Sequence, residues 1–393
     1  MRRIPPVVMA VLALVVSGAP ARSATGLPDG YVLDAQRELV AGVEHSVLTR
    51  DDPASAVNVA RIAPGAPVAL RAVSSDNGIN HHGDKLETPS SMCRRVGCVV
   101  AVNGDFHHVA EREPVGGVIS DGRMLRSPVG GRPQLVVTTD GRIVAAPLDW
   151  TGLVDTGGAD LAMRGINTTT HPDDGRIVLY TPDWGTHTET DDAAEIVVRS
   201  DGPLAVLGRP TQVELTSFST DGDATIPADG AVLSATGAGA AALAELWDDV
   251  EAGTVPATAE ILVDSPVDAA ESLGGNPKLL SDGQAVFPDA DDGFTTDRHS
   301  RTVVGWNGQG EVFVVAVDGR QDDSQGMDLA ELADFMIEIG ATEAINLDGG
   351  GGTTFVVDGI VTNTPIHQGE EGHERGSSNA LVVVPTAAPP TPG

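Results

Sequence analysis

Short apolar runs, separated by turns rich in Gly, Asp and Pro, recur along most of this chain and predict strands. Val57 to Ile62, Val99 to Val102, Gly117 to Arg123 and Leu135 to Val137 are such runs, and so are Ile177 to Tyr180, Ile196 to Val198, Val312 to Val317 and Ala380 to Val384. Asp-Gly pairs at 121–122, 140–141 and 358–359 read as hairpin turns. Two segments break the pattern. Gly239 to Val250 is alanine-rich and predicts a helix. Asp328-Leu329-Ala330-Glu331 reads as a capping box; Leu329, Leu332, Met336 and Ile339 follow at helical spacing, and Gly340 stands where a C′ glycine belongs. A short strand, Ala344 to Leu347, then leads into Asp348, four glycines (Gly349 to Gly352), Thr353 and Thr354. The hairpin Phe355 to Val361 follows. The expected fold class is α+β, with twisted mixed or mainly antiparallel β-sheets and few flanking helices.

Composition agrees with a β-rich fold. The 393 residues are 41% hydrophobic but only 3% aromatic, so the core must rest on Val, Ala, Leu and Ile. Gly 47 and Pro 26 supply many turns. The length suits one large domain or two ordinary ones. At the N-terminus, Arg2 and Arg3 precede an apolar run from Val7 to Val16. Small residues follow, with Ala19-Pro20-Ala21 or Ala21-Arg22-Ser23 as cleavage candidates. We read residues 1–24 as a Sec-type secretory signal, too short for an ordinary membrane span, and expect a secreted product with no membrane span. A β-rich region over 25–90 would precede a catalytic domain over 91–385, whose middle section, 150–265, is elaborated. The Pro-rich tail at 386–393 reads as disordered.

A formal charge of −32 repels nucleic acid, so no nucleic-acid partner is expected. An anionic substrate would need local arginines to offset that field. Cys93 and Cys98, five positions apart in an exported chain, most simply form a disulfide. No Cys or His partners stand at zinc spacing. The pairs His81-His82 and His107-His108 are weak metal candidates, because neighbours on a strand point to opposite faces.

The run at 346–354 is the most informative chemically. A turn needs one or two glycines, whereas four permit close backbone approach to a ligand. It lacks the Lys-Ser/Thr ending of a P-loop. Asn346, Asp348, the backbone of Gly349, Gly350 and Gly351, and the hydroxyls of Thr353 and Thr354 thus form a candidate site for a sugar, a phosphate or both. Asn103-Gly104-Asp105-Phe106 ends an apolar run and is either a polar pocket floor or a plain Asn-Gly turn. Arg301 at a strand start could hold a phosphate bidentately or pair with one of many acids. Asp318-Gly319-Arg320 is either a ligand-bearing strand end or another turn. Arg375 and Asn379 either return to the site or lie in a solvated loop.

In order, these segments resemble the phosphodiester glycosidase family. The matching pieces are Asn103 to Phe106, Pro114 to Arg123, Gly274 to Leu280, Arg301 to Gly305, Asp318 to Arg320, Asn346 to Thr354 and Arg375 to Leu381, spread over roughly 90 to 385. His107 departs from a usual second aromatic, Ser300 from a common proline, and Gly352 from a common serine. The resemblance implies hydrolysis of a sugar-1-phosphodiester, similar to an N-acetylglucosamine-1-phosphodiester, at the anomeric C–O bond. A phosphodiester is a good leaving group, so cationic stabilisation matters more than general-acid help. Asp348 is then expected as base or nucleophile and Asp105 as the second carboxylate. Arg301, Arg320 and Arg375 would bind phosphate, and Asn103, Asn346, Asn379, Thr353 and the glycine backbone would orient the sugar. No cofactor is firmly implied, and a divalent cation stays open. Two other readings compete: a metal-dependent phosphodiesterase using Asp348, Asp318 and Asp105, and a non-catalytic cell-wall glycan-binding protein. Low aromatic content counts against the latter.

Overall fold

The computed structural model describes residues 27–81, 85–108, 112–158, 160–169, 175–288 and 290–386. The expected signal segment and the tail beyond 386 lie outside the described residues.

Two sheets pack face to face. The larger has eight strands in the order Val32–Val40, Val43–Asp51, Ala54–Ile62, Val312–Val317, Arg301–Trp306, Glu343–Asn346, Lys278–Ser281 and Gln284–Ala285. The smaller has five: Ile360–Val361, Phe355–Val357, Val100–Asn103, Asn379–Pro385 and Val68–Ser74. Early and late strands therefore share a core: Ala60, Val304, Val314 and Ile345 of the larger sheet meet Val100, Val102, Phe355 and Leu381 of the smaller. Strands before residue 75 complete both sheets, Ala54–Ile62 along Val312–Val317 and Val68–Ser74 along Asn379–Pro385. The N-terminal β-rich region is thus built into the sandwich.

Each sheet carries a helix on its outer face. Leu329–Ile339 covers the larger sheet, packing Leu329, Leu332 and Met336 onto Val303, Phe313 and Val315. Its capping box forms as the sequence predicts, with Asp328 accepting from the Glu331 amide at 2.8 Å and Gly340 closing the C-terminus in the left-handed region. Pro89–Val96 covers the smaller sheet through Met92 and Cys93. Four layers explain why Val312–Val317 reads as an unbroken apolar run: Val312, Val314 and Ala316 face the inter-sheet core, while Phe313, Val315 and Val317 face the helix.

The middle section folds into a closed barrel, where the sequence pattern predicts only a β-rich stretch with one helix. Its seven strands run in the order Thr151–Asp155, Asp160–Ile166, Ile177–Tyr180, Gly230–Ala235, Ala194–Ser200, Thr211–Ser219 and Thr258–Asp264. The helix Gly237–Glu251 packs Leu243 and Leu246 into the barrel core. A third sheet, Arg123–Arg126, Val118–Ser120, Ala269–Gly274, Pro133–Thr138 and Ile143–Pro147, joins barrel to sandwich. Leu135, Ala145 and Leu273 belong to the sandwich core, and Ile119, Met124, Val136 and Ala269 to the barrel core. Its Asp121-Gly122 turn has positive φ at both residues, 50° and 71°, the geometry a tight hairpin requires. Strand dominance makes the α+β expectation correct in outline, with β-structure outweighing helix.

Cys93 and Cys98 are bonded, with Cα atoms 4.9 Å apart. The bridge closes the last turn of helix Pro89–Val96 onto the entry of strand Val100–Asn103. A loop this small should stabilise by only about 2 kcal/mol through chain entropy. The double variant Cys93→Ser/Cys98→Ser is therefore expected to stay folded and lose about that much in urea denaturation.

Candidate active site

Asn103 ends the central strand of the smaller sheet with its side chain wholly buried. Its Oδ1 accepts from Thr302 Oγ1 at 2.7 Å and from the Thr354 amide at 3.0 Å. Its Nδ2 donates to the Asp348 carbonyl at 2.6 Å. In return the Asp348 amide donates to the Gly104 carbonyl at 3.0 Å. Residue 103, the glycine loop and strand Arg301–Trp306 are thereby locked together, and the two segments carrying Asp105 and Asp348 meet.

Asp105 is fully buried. Gly116 donates its amide to Asp105 Oδ2 at 2.5 Å, and Arg132 Nη2 donates to Oδ1 at 3.2 Å. A Cβ on Gly274 would lie 2.3 Å from Oδ2, so Gly274 lets the backbone press onto the carboxylate. The Asp105 amide donates to Asn379 Oδ1 at 2.8 Å. Burial pushes the Asp105 carboxyl above the ordinary range, and Arg132 with the amide bonds pulls the other way. Asp348 is the more open carboxylate, its side chain 14% exposed. It pairs with Arg375 and accepts from the Gly349 amide at 2.9 Å. Burial raises its pKa foremost, the charge of Asp105 adds to that, and Arg375 opposes it.

Much of the loop's backbone is already hydrogen-bonded within the protein, unlike a row of free donors. Gly350 and Thr353 donate their amides to the carbonyls of Ser300 and Gly350, and Gly352 donates to Gly349, in one 3₁₀ turn over Gly350–Gly352. The glycines instead make room for side chains. A Cβ on Gly352 would sit 2.2 Å from Arg375 Nη2 and 2.8 Å from Asp348 Oδ2. Gly350, at φ 58°, passes under the Arg320 guanidinium, where a Cβ would be 2.9 Å from Nη2. Gly351 similarly adjoins His367.

The expected residues divide into two sets. Asp348, Gly349, Gly350, Arg320 and Arg375 remain at least partly open to solvent. Arg320 is exposed, with no hydrogen bond or ion pair among the described residues. Asn103, Asp105, Asn346, Thr353, Thr354 and Asn379 are buried and form the floor. Asn346 donates from Nδ2 to the Asn276 carbonyl at 2.7 Å, fixing the 274–277 turn that covers Asp105. Asn379 Nδ2, Thr353 Oγ1, Asn346 Oδ1, Arg375 Nε and Arg132 Nε are buried without a partner, a concentration of unmet polar atoms that marks a site for polar ligands or water.

Two expectations are corrected. Arg301 is 2% exposed, and its guanidinium donates to main-chain carbonyls: Nε to Met327 at 2.9 Å, Nη2 to Phe294 at 2.7 Å and to Asp297 at 3.1 Å. Burial lowers its pKa to about 10. It positions the 293–297 turn rather than binding phosphate. Asp318 is likewise buried and accepts from Asn363 Nδ2 at 2.8 Å and the Thr364 amide at 3.0 Å. It ties the hairpin that follows the glycine loop. Asp348, Asp318 and Asp105 do not converge: no group of three His, Cys, Asp or Glu side chains among the described residues could hold a metal.

Sequence reasoning missed Arg132 and Phe294 and gave no site role to His107. Arg132 lies 27 positions from Asp105 and shows no motif of its own. Phe106 and Phe294 come together at 6.1 Å, with Phe294 37% exposed and Arg132 over the Phe106 ring. His107, a weak metal candidate from its pairing with His108, has a buried, unpartnered Nδ1. Burial first, then Arg375 and Arg112, lower its pKa to about 4, so its imidazole is neutral at ordinary pH.

Residues 204–384 match the phosphodiester glycosidase family, and the chain is a relative of that family over this segment. N-acetylglucosamine-1-phosphodiester alpha-N-acetylglucosaminidase of Bos taurus is 41% identical over 66 residues, 17% of this chain and 12% of the bovine protein. The chain thus matches only a small part of that relative's length. Among solved structures, a Synechocystis protein superposes with a TM-score of 0.67 at 20% identity, covering 91% of this chain and 68% of its own. A Burkholderia pseudomallei protein does so with a TM-score of 0.64 at 23% identity, covering 87% of this chain and 74% of its own. These two share the fold.

The contacts around Arg375 and Arg301 can be tested by substitution. Gly352→Ser should push Arg375 off Asp348 and so raise the Asp348 pKa, read by carbon-13 titration of the carboxyl. Arg301→Met should cost about 3 kcal/mol by leaving buried carbonyls unpaired, whereas Arg320→Met should leave thermal stability unchanged.

Proposed function

We propose that this chain is an exported hydrolase that cleaves a sugar-1-phosphodiester at the anomeric C–O bond. The observation that carries this reading is Asp348 itself: a partly open carboxylate paired with Arg375, followed two residues on by Gly350 under the unpaired Arg320, within the segment that matches the family. A carboxylate suits the developing oxocarbenium ion, and guanidinium groups suit the departing phosphate. The bovine relative is named for an N-acetylglucosamine-1-phosphodiester substrate, which fits this pairing of groups. The exposed Phe294 with Phe106 offers an apolar face for a sugar ring. Support for export comes from the Arg2-Arg3 and apolar N-terminal run and from the description of the Burkholderia neighbour as exported.

In the reaction, water contributes hydroxide to C1 and the C1–O bond breaks. The electron pair leaves with the phosphate as a monoester, which Arg320 and Arg375 stabilise. Asp348 acts either by taking the proton of that water as base or by forming a glycosyl ester that water then hydrolyses, and in both routes the proton passes on to solvent or to the released monoester. Asp105, enclosed by Gly116, Gly274 and Arg132, acts through its charge on Asp348. Neutral His107 is poised for hydrogen bonding rather than for donating charge.

Asp348→Asn is expected to lower kcat by roughly 10²–10⁴-fold with an unchanged circular dichroism spectrum. Full activity in that variant would remove Asp348 from the mechanism. Oxygen-18 from solvent should appear in the released sugar; label in the phosphate would mean cleavage at phosphorus. Activity that needs ionised Asp348 is lost as pH falls through its raised pKa, so the acid limb should lie above the ordinary aspartate value of about 3.9. A parallel assay with EDTA tests the metal-dependent alternative.

A further inference from the structure

A second cluster of arginines lies outside the glycine-loop site. Arg71, Arg95, Arg123 and Arg209 line a cavity of about 470 Å³ where the edge strand Val68–Ser74 and helix Pro89–Val96 face the barrel loops. Four guanidinium groups around one cavity are notable in a chain of formal charge −32. Three are oriented by acids: Arg71 by Asp121 and Arg123 by Asp183 through two bonds, both acids also lining the cavity, and Arg95 by Glu87 at 2.7 Å, with further bonds to Asn77 Oδ1 and the Ser74 carbonyl. Each guanidinium carries five N–H donors, more than these contacts use. Arg209 is exposed and has no ion pair among the described residues. Ser74 also lines the cavity, is 4% exposed, and its Oγ is buried without a partner. An unmet hydroxyl among oriented cations is suited to an oxyanion.

The strand register places one wall of this cavity beside the buried floor of the active site. Ser74 stands directly opposite Asn379, whose Oδ1 accepts from the Asp105 amide. Such partners are about 5 Å apart between Cα atoms. We infer that the cavity is a second phosphate-binding subsite, taking another phosphate group of a substrate that carries more than one. The inference rests on the phosphodiester reading for its substrate, and only on the cavity for its ligand. It makes the substrate class a glycan with repeated phosphodiester linkages, and gives a strongly acidic protein a local hold on a polyanion.

The test uses inorganic phosphate at constant ionic strength, followed through the Nε–H resonances of the arginines. Phosphate should shift Arg71, Arg95, Arg123 and Arg209, and Arg209→Ala should weaken that response roughly tenfold. Arg320→Ala, at the glycine loop, should leave it intact. On a synthetic glycan with two phosphodiester linkages, Arg209→Ala should raise KM with kcat unchanged, and on a single-linkage substrate neither should move. Unchanged phosphate binding in both Arg209→Ala and Arg209→Glu would overturn the subsite and leave a closed ion-pair network. Equal KM changes on both substrates would overturn the repeated-linkage assignment. Phosphate binding lost in Arg209→Ala, with no hydrolysis of any phosphodiester by wild type, would uphold the subsite while refuting the catalytic reading.

Discussion

Asn103 joins three segments with one buried amide side chain, and the candidate site exists only because those segments meet. Its donor fixes the Asp348 carbonyl. Its acceptor takes Thr302 from the opposing sheet and the Thr354 amide from the far end of the glycine loop. No shorter polar residue spans that gap, and an apolar one would leave the Thr302 hydroxyl and a buried amide unsatisfied, at about 1–3 kcal/mol each. Packing brings the two sheets to the right distance, but it is directionless. The amide sets which loop lies over which strand end, and so where Asp348 points.

Burying carboxylates near one another in a chain this acidic requires counter-charge at each. Arg132 meets Asp105 and Arg375 meets Asp348, so each acid has its own guanidinium. The pairs are unequal. Asp105 is enclosed by backbone on several sides, whereas Asp348 keeps an edge partly open to solvent. Burial raises both pKa values, but only Asp348 keeps contact with solvent, and the charge of Asp105 adds to the upward shift at Asp348. Arg301 shows the opposite use of a buried charge, with Nη2 donating to two carbonyls of the turn that presents Phe294 and Nε to the carbonyl of Met327.

Local chemistry was legible in the sequence, and long-range closure was not. The capping box at Asp328, the Asp-Gly hairpins, and the strand leading to Asp348 are set by residues within a few positions of one another, and the structure has them. The barrel was hidden because its closure pairs Thr151–Asp155 with Thr258–Asp264, more than a hundred positions apart, and no local pattern encodes that partnership. Arg301 was misread for a related reason. A lone arginine at a strand start looks the same whether its partners are phosphate oxygens or the carbonyls of a turn. The four glycines read as backbone that a ligand could approach closely, whereas the space beside Gly352 and Gly350 is taken by Arg375 and Arg320, which arrive from segments on either side of the loop.

The family match from 204 to 384 contains Asp348, Arg320, Arg375 and Asn379, but not Asn103, Asp105 or Arg132. The site is therefore split between a recognisable half and a half found by strand pairing. Val100–Asn103 lies between Phe355–Val357 and Asn379–Pro385, both in or overlapping the matched segment. Without it those strands would face each other across a missing ladder, with their amides and carbonyls unpaired in the sandwich core. A sheet completed there must end a strand beside the glycine loop. In this chain that strand ends at Asn103, with Gly104 and Asp105 directly after it, so the residue that finishes the hydrogen-bonded ladder also holds the Asp348 carbonyl and brings a second buried carboxylate within reach of its charge.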